Sequence, residues 1–199
     1  MARPSNTEER KHQITMALLA VMASKGYERA SIQAIAKEAG LTPGLIHYHF
    51  KTKQEILLAL VDWIVKSAYT RLENLSEGLT DPWYKLIAYL NAKLATGEGA
   101  LPEVVSAWVV IAGESVRQPE VKAIYQEVIK QQLKELQHLL AAVWPGKKTN
   151  SKEVINLAAV VLSAMEGAFQ LSATADEVMP KDYAAVTILG LVEKYLVQA

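Results

Sequence analysis

A chain of 199 residues that is 51% hydrophobic and carries no net charge has material for one large globular domain or two smaller ones. It contains no cysteine, which excludes disulfides and thiolate metal sites and is compatible with a reducing cytoplasm. The first residues lack the apolar stretch of a secretory signal. The longest apolar run, residues 157–165, falls far short of the ~20 residues that span a bilayer, so a soluble cytoplasmic protein with no membrane contact is expected.

Taken in chain order, residues 1–6 read as a short flexible arm. Residues 7–25 form a helix whose apolar stripe is Ile14, Leu18 and Val21, stopped by Gly26. Residues 31–50 then read as two short helices joined by a tight turn. Ile32, Ile35, Ala36 and Ala39 share one face, and the small side chain of Ala36 lets the second helix cross closely. Gly40 stands where a left-handed helix stop needs a residue without a Cβ. Leu41 and Ile46 return to the core, Thr42 caps the second helix, and Pro43 sits at its first position, where a missing N–H costs nothing. That combination is a helix-turn-helix, whose second helix enters the DNA major groove.

A longer helix begins at Thr52 or Lys53 and runs to about Leu75, with Thr52 as cap and Glu55 at its third position. Asp81 and Pro82 open another helix to about Ala95, and residues 97–102 break the pattern. An apolar helix follows over 103–116. Gln118 and Pro119 introduce the next, to about Val143. Residues 144–150 form a loop, Ser151 caps a helix to about Thr174, and a last helix spans about 181–197. No strand, repeat or low-complexity segment is present. The fold expected is all-α with about nine helices: a helix-turn-helix domain over 1–52 and a larger helical domain over 53–199.

The charge is unevenly placed. Residues 1–54 carry eight basic side chains (Arg3, Arg10, Lys11, Lys25, Arg29, Lys37, Lys51, Lys53) against four acids (Glu8, Glu9, Glu28, Glu38), and the remainder is correspondingly acidic. A basic reading head on an acidic body suits phosphate contact without general stickiness.

The segment from about Thr7 to Leu60 resembles the DNA-binding domain of the TetR family of bacterial transcriptional repressors. The resemblance is carried by Ser31, Ile35 and Ala36, Ala39 and Gly40, Thr42, Gly44, the cluster Tyr48, His49 and Phe50, and Lys53. The chain departs at position 47, where the family usually has Tyr and this chain has His47, which can also donate to a phosphate. The segment from Ala107 and Trp108 through Gln118 and Pro119, with Met165, Glu166 and Gly167, is similar to the ligand domain of the choline-responsive BetI-like branch. In that branch the glutamate position is usually Asp and the first loop differs in length.

The resemblance implies a homodimeric regulator, a repressor released from a palindromic double-stranded DNA operator by a small-molecule effector. It also implies that the last two helices pair with their copies in a four-helix bundle. The residues agree with pairing: 157–165 is apolar all the way round and must be buried on more than one face. Ile188, Leu189, Leu191, Val192, Tyr195 and Leu196 give the last helix a broad apolar surface. Two reading heads suit half-sites one turn apart, ~34 Å.

For DNA contact, residues 43–48 present the exposed face of the recognition helix. Leu45 and His47 are candidates for base edges, through a thymine methyl and an imidazole hydrogen bond. Tyr48, His49, Lys51 and Lys53 are assigned to phosphates. Thr42 and Ser31 are caps that also reach phosphate, Gln33 suits either task, and Pro43 and Gly44 bring the helix start close. Ile46 and Phe50 are core. For an effector, Trp63, Trp83, Tyr89, Trp108 and Phe169 supply aromatic faces, with Glu114 and Glu166 as carboxylates in apolar stretches that need a partner or a solvated cavity. Such a set suits a cationic ligand.

His47 and His49 diverge on a helix, so no metal site is expected, and no cofactor. Neither a phosphate loop, a Gly-x-Ser-x-Gly, a His-Glu-x-x-His nor a cysteine nucleophile is present. An enzyme is therefore not expected. The alternatives to a DNA-binding regulator are an adaptor whose helix-turn-helix binds protein and an all-α enzyme without a recognisable signature.

Overall fold

A computed structural model describes residues 6–94 and 102–198. Among the described residues are nine α-helices and no strand: α1 (Asn6–Lys25), α2 (Ile32–Ala39), α3 (Pro43–His49), α4 (Lys53–Ser76), α5 (Pro82–Lys93), α6 (Pro102–Ser115), α7 (Pro119–Val143), α8 (Lys152–Thr174) and α9 (Tyr183–Gln198). The arm expected over 1–6 and the break over 97–102 lie outside the described residues, apart from Asn6 and Pro102, which begin α1 and α6.

Packing divides the chain into two compact units: residues 1–65 with 110–125, and residues 66–109 with 126–199. This line differs from the expected boundary after residue 52. The start of α4 brings Ile56, Leu57, Leu60, Val61 and Ile64 in as buried residues, and the junction of α6 and α7 joins the first unit as well.

In the first unit α1, α2 and α3 pack on one another. Ile14, Leu18, Val21, Ile35, Ala36, Ala39, Ile46 and Phe50 are buried there, while Ile32 and Leu41 are only partly covered. The local stops form as their residue types require. The Ser31 hydroxyl accepts from Ala34 N–H at 3.2 Å, and Thr42 Oγ1 accepts from Leu45 N–H at 3.3 Å. Gly40 takes φ +63° and its N–H closes on carbonyls at the end of α2. At α4, Thr52 Oγ1 accepts from Glu55 N–H at 3.1 Å, and the Glu55 carboxylate accepts from Lys51 N–H at 2.7 Å. The reciprocal cap therefore reaches back one residue further than the usual pattern.

In the second unit α9 packs against α8 and α5. One expectation changes here. Ser151 precedes α8 but does not cap it through its side chain; the hydroxyl donates to Lys148 C=O at 2.9 Å instead. The loop after α7 is anchored, because Trp144 is buried and meets the Tyr195 ring edge-on at 5.7 Å. Within this single chain α8 buries Val154, Leu157, Ala158, Val161, Leu162, Met165 and Phe169. It leaves Val160 65% exposed, and α9 likewise leaves Leu191 63% exposed. By length and composition alone, α8 is apolar enough to cross a bilayer, which the run over 157–165 did not indicate.

Two glycines test the local argument. A Cβ on Gly40 meets nothing within 4 Å, so Gly40→Ala carries only the left-handed backbone penalty, about 1–2 kcal/mol. A Cβ on Gly26, at φ +79°, meets Glu114 Oε1 at 3.2 Å, and that oxygen is held by Arg117 at 2.8 Å. Gly26→Ala should therefore lower the denaturant midpoint more than Gly40→Ala does.

Candidate functional site

The helix-turn-helix offers one solvent-facing surface. Thr42, Pro43, Gly44, His47 and Tyr48 are exposed, Leu45 and His49 are half-buried, and Ile46 and Phe50 are buried beneath. Tyr48 is 74% exposed, and its ring stands edge-on to His49 at 5.0 Å. Ser31, Gln33 and Lys51 are exposed too. Ser31 and Thr42 use their oxygens as caps, which leaves each hydroxyl proton available to an outside acceptor. This is the helix-entry geometry that exposed polar and aromatic groups on a buried apolar base provide.

Lys53 is placed differently from the others. Its ammonium donates to Tyr27 C=O at 2.8 Å and lies 4.0 Å from the centre of the Tyr27 ring. Burial pulls its pKa below the ordinary lysine value, while the carboxylates of Glu120, Glu28 and Glu114 pull the other way. Tyr27 is fully buried. Burial first, and then the Glu120 carboxylate, pushes its phenol well above the ordinary range. Its hydroxyl closes no hydrogen bond of ordinary length to any described residue.

Sequence reasoning missed two ties in this unit. Gln13 donates to Ala39 C=O at 2.7 Å, satisfying the end of α2 from α1, and Arg10 donates to Gln13 Oε1 at 2.7 Å. The first joins residues 26 apart and has no local signature, while the second is a three-residue spacing within α1.

The seven residues expected around an effector do not all meet. Trp63 and Glu114 belong to the first unit. Trp63 meets the His12 ring at 5.7 Å, and Glu114 near the end of α6 pairs with Arg117 in the turn that follows. The other five, Trp83, Tyr89, Trp108, Glu166 and Phe169, belong to the second unit. Of these, Trp108 and Glu166 are brought into contact: the indole N–H donates to both carboxylate oxygens, at 3.1 and 3.0 Å. Tyr89, Trp108 and Phe169 are buried, and Trp83 is half-buried above the Asp81 cap.

A charged residue absent from the expected set is also buried. Lys93 in α5 is buried, its ammonium 4.4 Å from the Tyr69 ring centre and 5.5 Å from that of Tyr89, with Glu135 Oε2 at 3.8 Å. The signal was present in sequence: Lys93 falls on the same helical face as Leu86, Tyr89 and Leu90. No group of three or more His, Asp or Glu gathers as metal ligands among the described residues.

Burial pushes Lys93 down from 10.5 to about 8. Below that value it is charged in both states, and the cost of burying the charge is present in full. Between about 8 and 10.5 the unfolded chain holds a proton that the folded one has released, so stability rises with pH. Above 10.0, Tyr27 and Tyr89 act oppositely, since their phenols ionise only once unfolded. Denaturation midpoints should therefore climb through this window and then fall, and Lys93→Met should flatten the climb while leaving the fall.

Residues 14–60 match the model of the bacterial regulatory proteins of the tetR family. The chain is 34% identical to the transcriptional regulator HbdR of Aromatoleum over 42% of its own length and 36% of that protein. It is 29% identical to the regulator BetI of Vibrio campbellii, over 70% of this chain and 69% of that one. The chain spans only 36% of HbdR, and 25% and 51% of two other curated matches, so likeness to those relatives is confined to part of them. In fold it is similar to a regulator from Saccharomonospora viridis solved in complex with choline, with 21% identity, 96% of each chain covered and a TM-score of 0.68.

Proposed function

Belonging through its helix-turn-helix to the tetR family of bacterial regulatory proteins, the chain is, we propose, a cytoplasmic, sequence-specific DNA-binding repressor whose operator is a palindrome. The observation that carries this is the α3 surface. It is a short helix with its apolar side fully packed and its Thr42, His47 and Tyr48 side exposed, on a basic segment. Leu45 and His47 are assigned to base edges. Ser31, Gln33, Thr42, Pro43, Gly44, Tyr48, His49 and Lys51 are assigned to positioning on the backbone. Lys53 has its ammonium committed to Tyr27 C=O, so a phosphate would share the N–H groups that remain.

Dimerisation is proposed through α8 and α9. Their exposed apolar residues, including Val160, Val186 and Leu191, form an unpartnered surface that a second copy would cover. A small-molecule effector is proposed to bind within the second unit, to which Tyr89, Trp108, Glu166 and Phe169 belong, and to lower affinity for DNA. It does so only to the extent that it binds the DNA-free state more tightly. α4 begins in the first unit and ends in the second, and serves as the element through which such a preference would be felt.

The test is retention of the purified protein on a randomised duplex library at moderate salt. An enriched palindrome is expected; no retention even at low salt would sink the repressor and favour the protein-binding alternative. Lys51→Ala should weaken binding to all duplexes and reduce the salt slope by about one. His47→Ala should change which sequences are preferred. Identical effects of the two on every duplex would refute this division of labour. Separately, Leu191→Lys should shift the protein from dimer to monomer in sedimentation and cost operator affinity.

A further inference from the structure

The buried polar groups around Lys93 are left short of partners. Its side chain is 6% exposed, and its ammonium, with three N–H donors, is met by the faces of two tyrosine rings and by one carboxylate. The facing Glu135 Oε2 stands at 3.8 Å, beyond hydrogen-bond length, and is itself buried and unbonded. The Tyr89 hydroxyl and Gln132 Oε1 are also buried without a partner. All of these lie in the second unit, on α5 and α7, with Tyr69 of α4 closing over the ammonium. Buried polar groups are nearly always satisfied in folded proteins, so three that are not, on the same two helices as the buried Lys93 and its facing acid, mark a place for something else.

We propose that this cluster is the binding site for the carboxylate of a small organic acid, held by Lys93 and the Tyr89 hydroxyl against the Tyr69 and Tyr89 rings. The occupant's charge is set by what is available. The carboxylates expected to attract a cation, Glu114 and Glu166, already hold Arg117 and the Trp108 indole. The buried cation has only a loosely placed acid opposite it. Glu135 marks where an anion sits, and its side chain, 29% exposed, has a route toward solvent when a ligand carboxylate replaces it. The ligand class departs from the cationic one that the aromatic residues had suggested. The proposal rests on the second unit being an effector domain only for its regulatory consequence, not for binding itself.

Calorimetric titration of the full chain without DNA, at neutral pH, tests it. Octanoate and benzoate are the probes, each compared with its neutral amide and with benzylammonium. One charge-assisted contact in a buried site should favour acid over amide by about ten- to a hundredfold. Lys93→Met should erase that preference. Glu135→Gln, which removes the internal competitor, should tighten acid binding and let octanoate raise the melting temperature. A purely structural ion pair predicts instead that Glu135→Gln destabilises without any gain for acids. The proposal is overturned if neither acid binds, if amides or benzylammonium bind as well, or if a folded Lys93→Met protein keeps the preference. Acids that bind but leave operator affinity unchanged would uphold the site and remove its regulatory role alone.

Discussion

The ammonium of Lys53, seated on the carbonyl and the ring of Tyr27, is where the first unit converges. Gly26 ends α1 in a left-handed turn, which turns Tyr27 inward, and α4 begins at the lysine that meets it. Glu28 follows in the same turn, while Glu114 and Glu120 arrive from the end of α6 and the start of α7. A charge-assisted hydrogen bond contributes about 1.5–3 kcal/mol, and a partly covered cation–π contact about 0.5–2 kcal/mol. The carboxylates around Lys53 would repel one another without it. One cation thus ties the start of α4 to the turn after α1, and the recognition helix packs on α1 and α2.

The second unit handles charge differently. Glu166 accepts a bifurcated hydrogen bond from the Trp108 indole N–H, a compact arrangement in which a carboxylate has a donor at hand. Lys93 is buried between two tyrosine rings, whose faces compensate part of its lost hydration but supply no hydrogen-bond acceptor. A buried charge so weakly paired is costly to keep. That cost is what separates it from Glu114, which is just as buried but has Arg117 at 2.8 Å. Along α8 the tension is of another kind: one apolar face is spent on the chain's own core, and apolar residues such as Val160 remain exposed on the single chain.

Much of the fold was legible because its signals are local. Ser31, Gly40, Thr42, Pro43 and Asp81 act through hydrogen bonds or dihedral preferences reaching no more than a few residues, so position along the chain suffices to place them. Ser151 shows where that logic fails. Its residue type is right for a cap, yet Lys148 C=O in the preceding turn takes its hydroxyl. The candidate DNA-facing residues were legible for the same local reason, since Ile46 and Phe50 being buried fixes which side of α3 is left outward. The effector residues were not. Whether Glu114 or Glu166 is free depends on a partner supplied by folding, and Trp63 and Trp83 are kept in different units by packing.

By itself, then, the sequence determined the helices, their stops and the helix-turn-helix, because periodicity, caps and glycine dihedrals are properties of neighbouring residues. Only the tertiary structure decided that Lys53 answers to Tyr27, that Gln13 closes the end of α2, and that Lys93 is buried beside Glu135. The first two contacts join residues 26 apart in the chain, and the third joins α5 to α7. Such pairings are set by how helices pack rather than by what lies next to each residue, and the charge of a buried site follows from them.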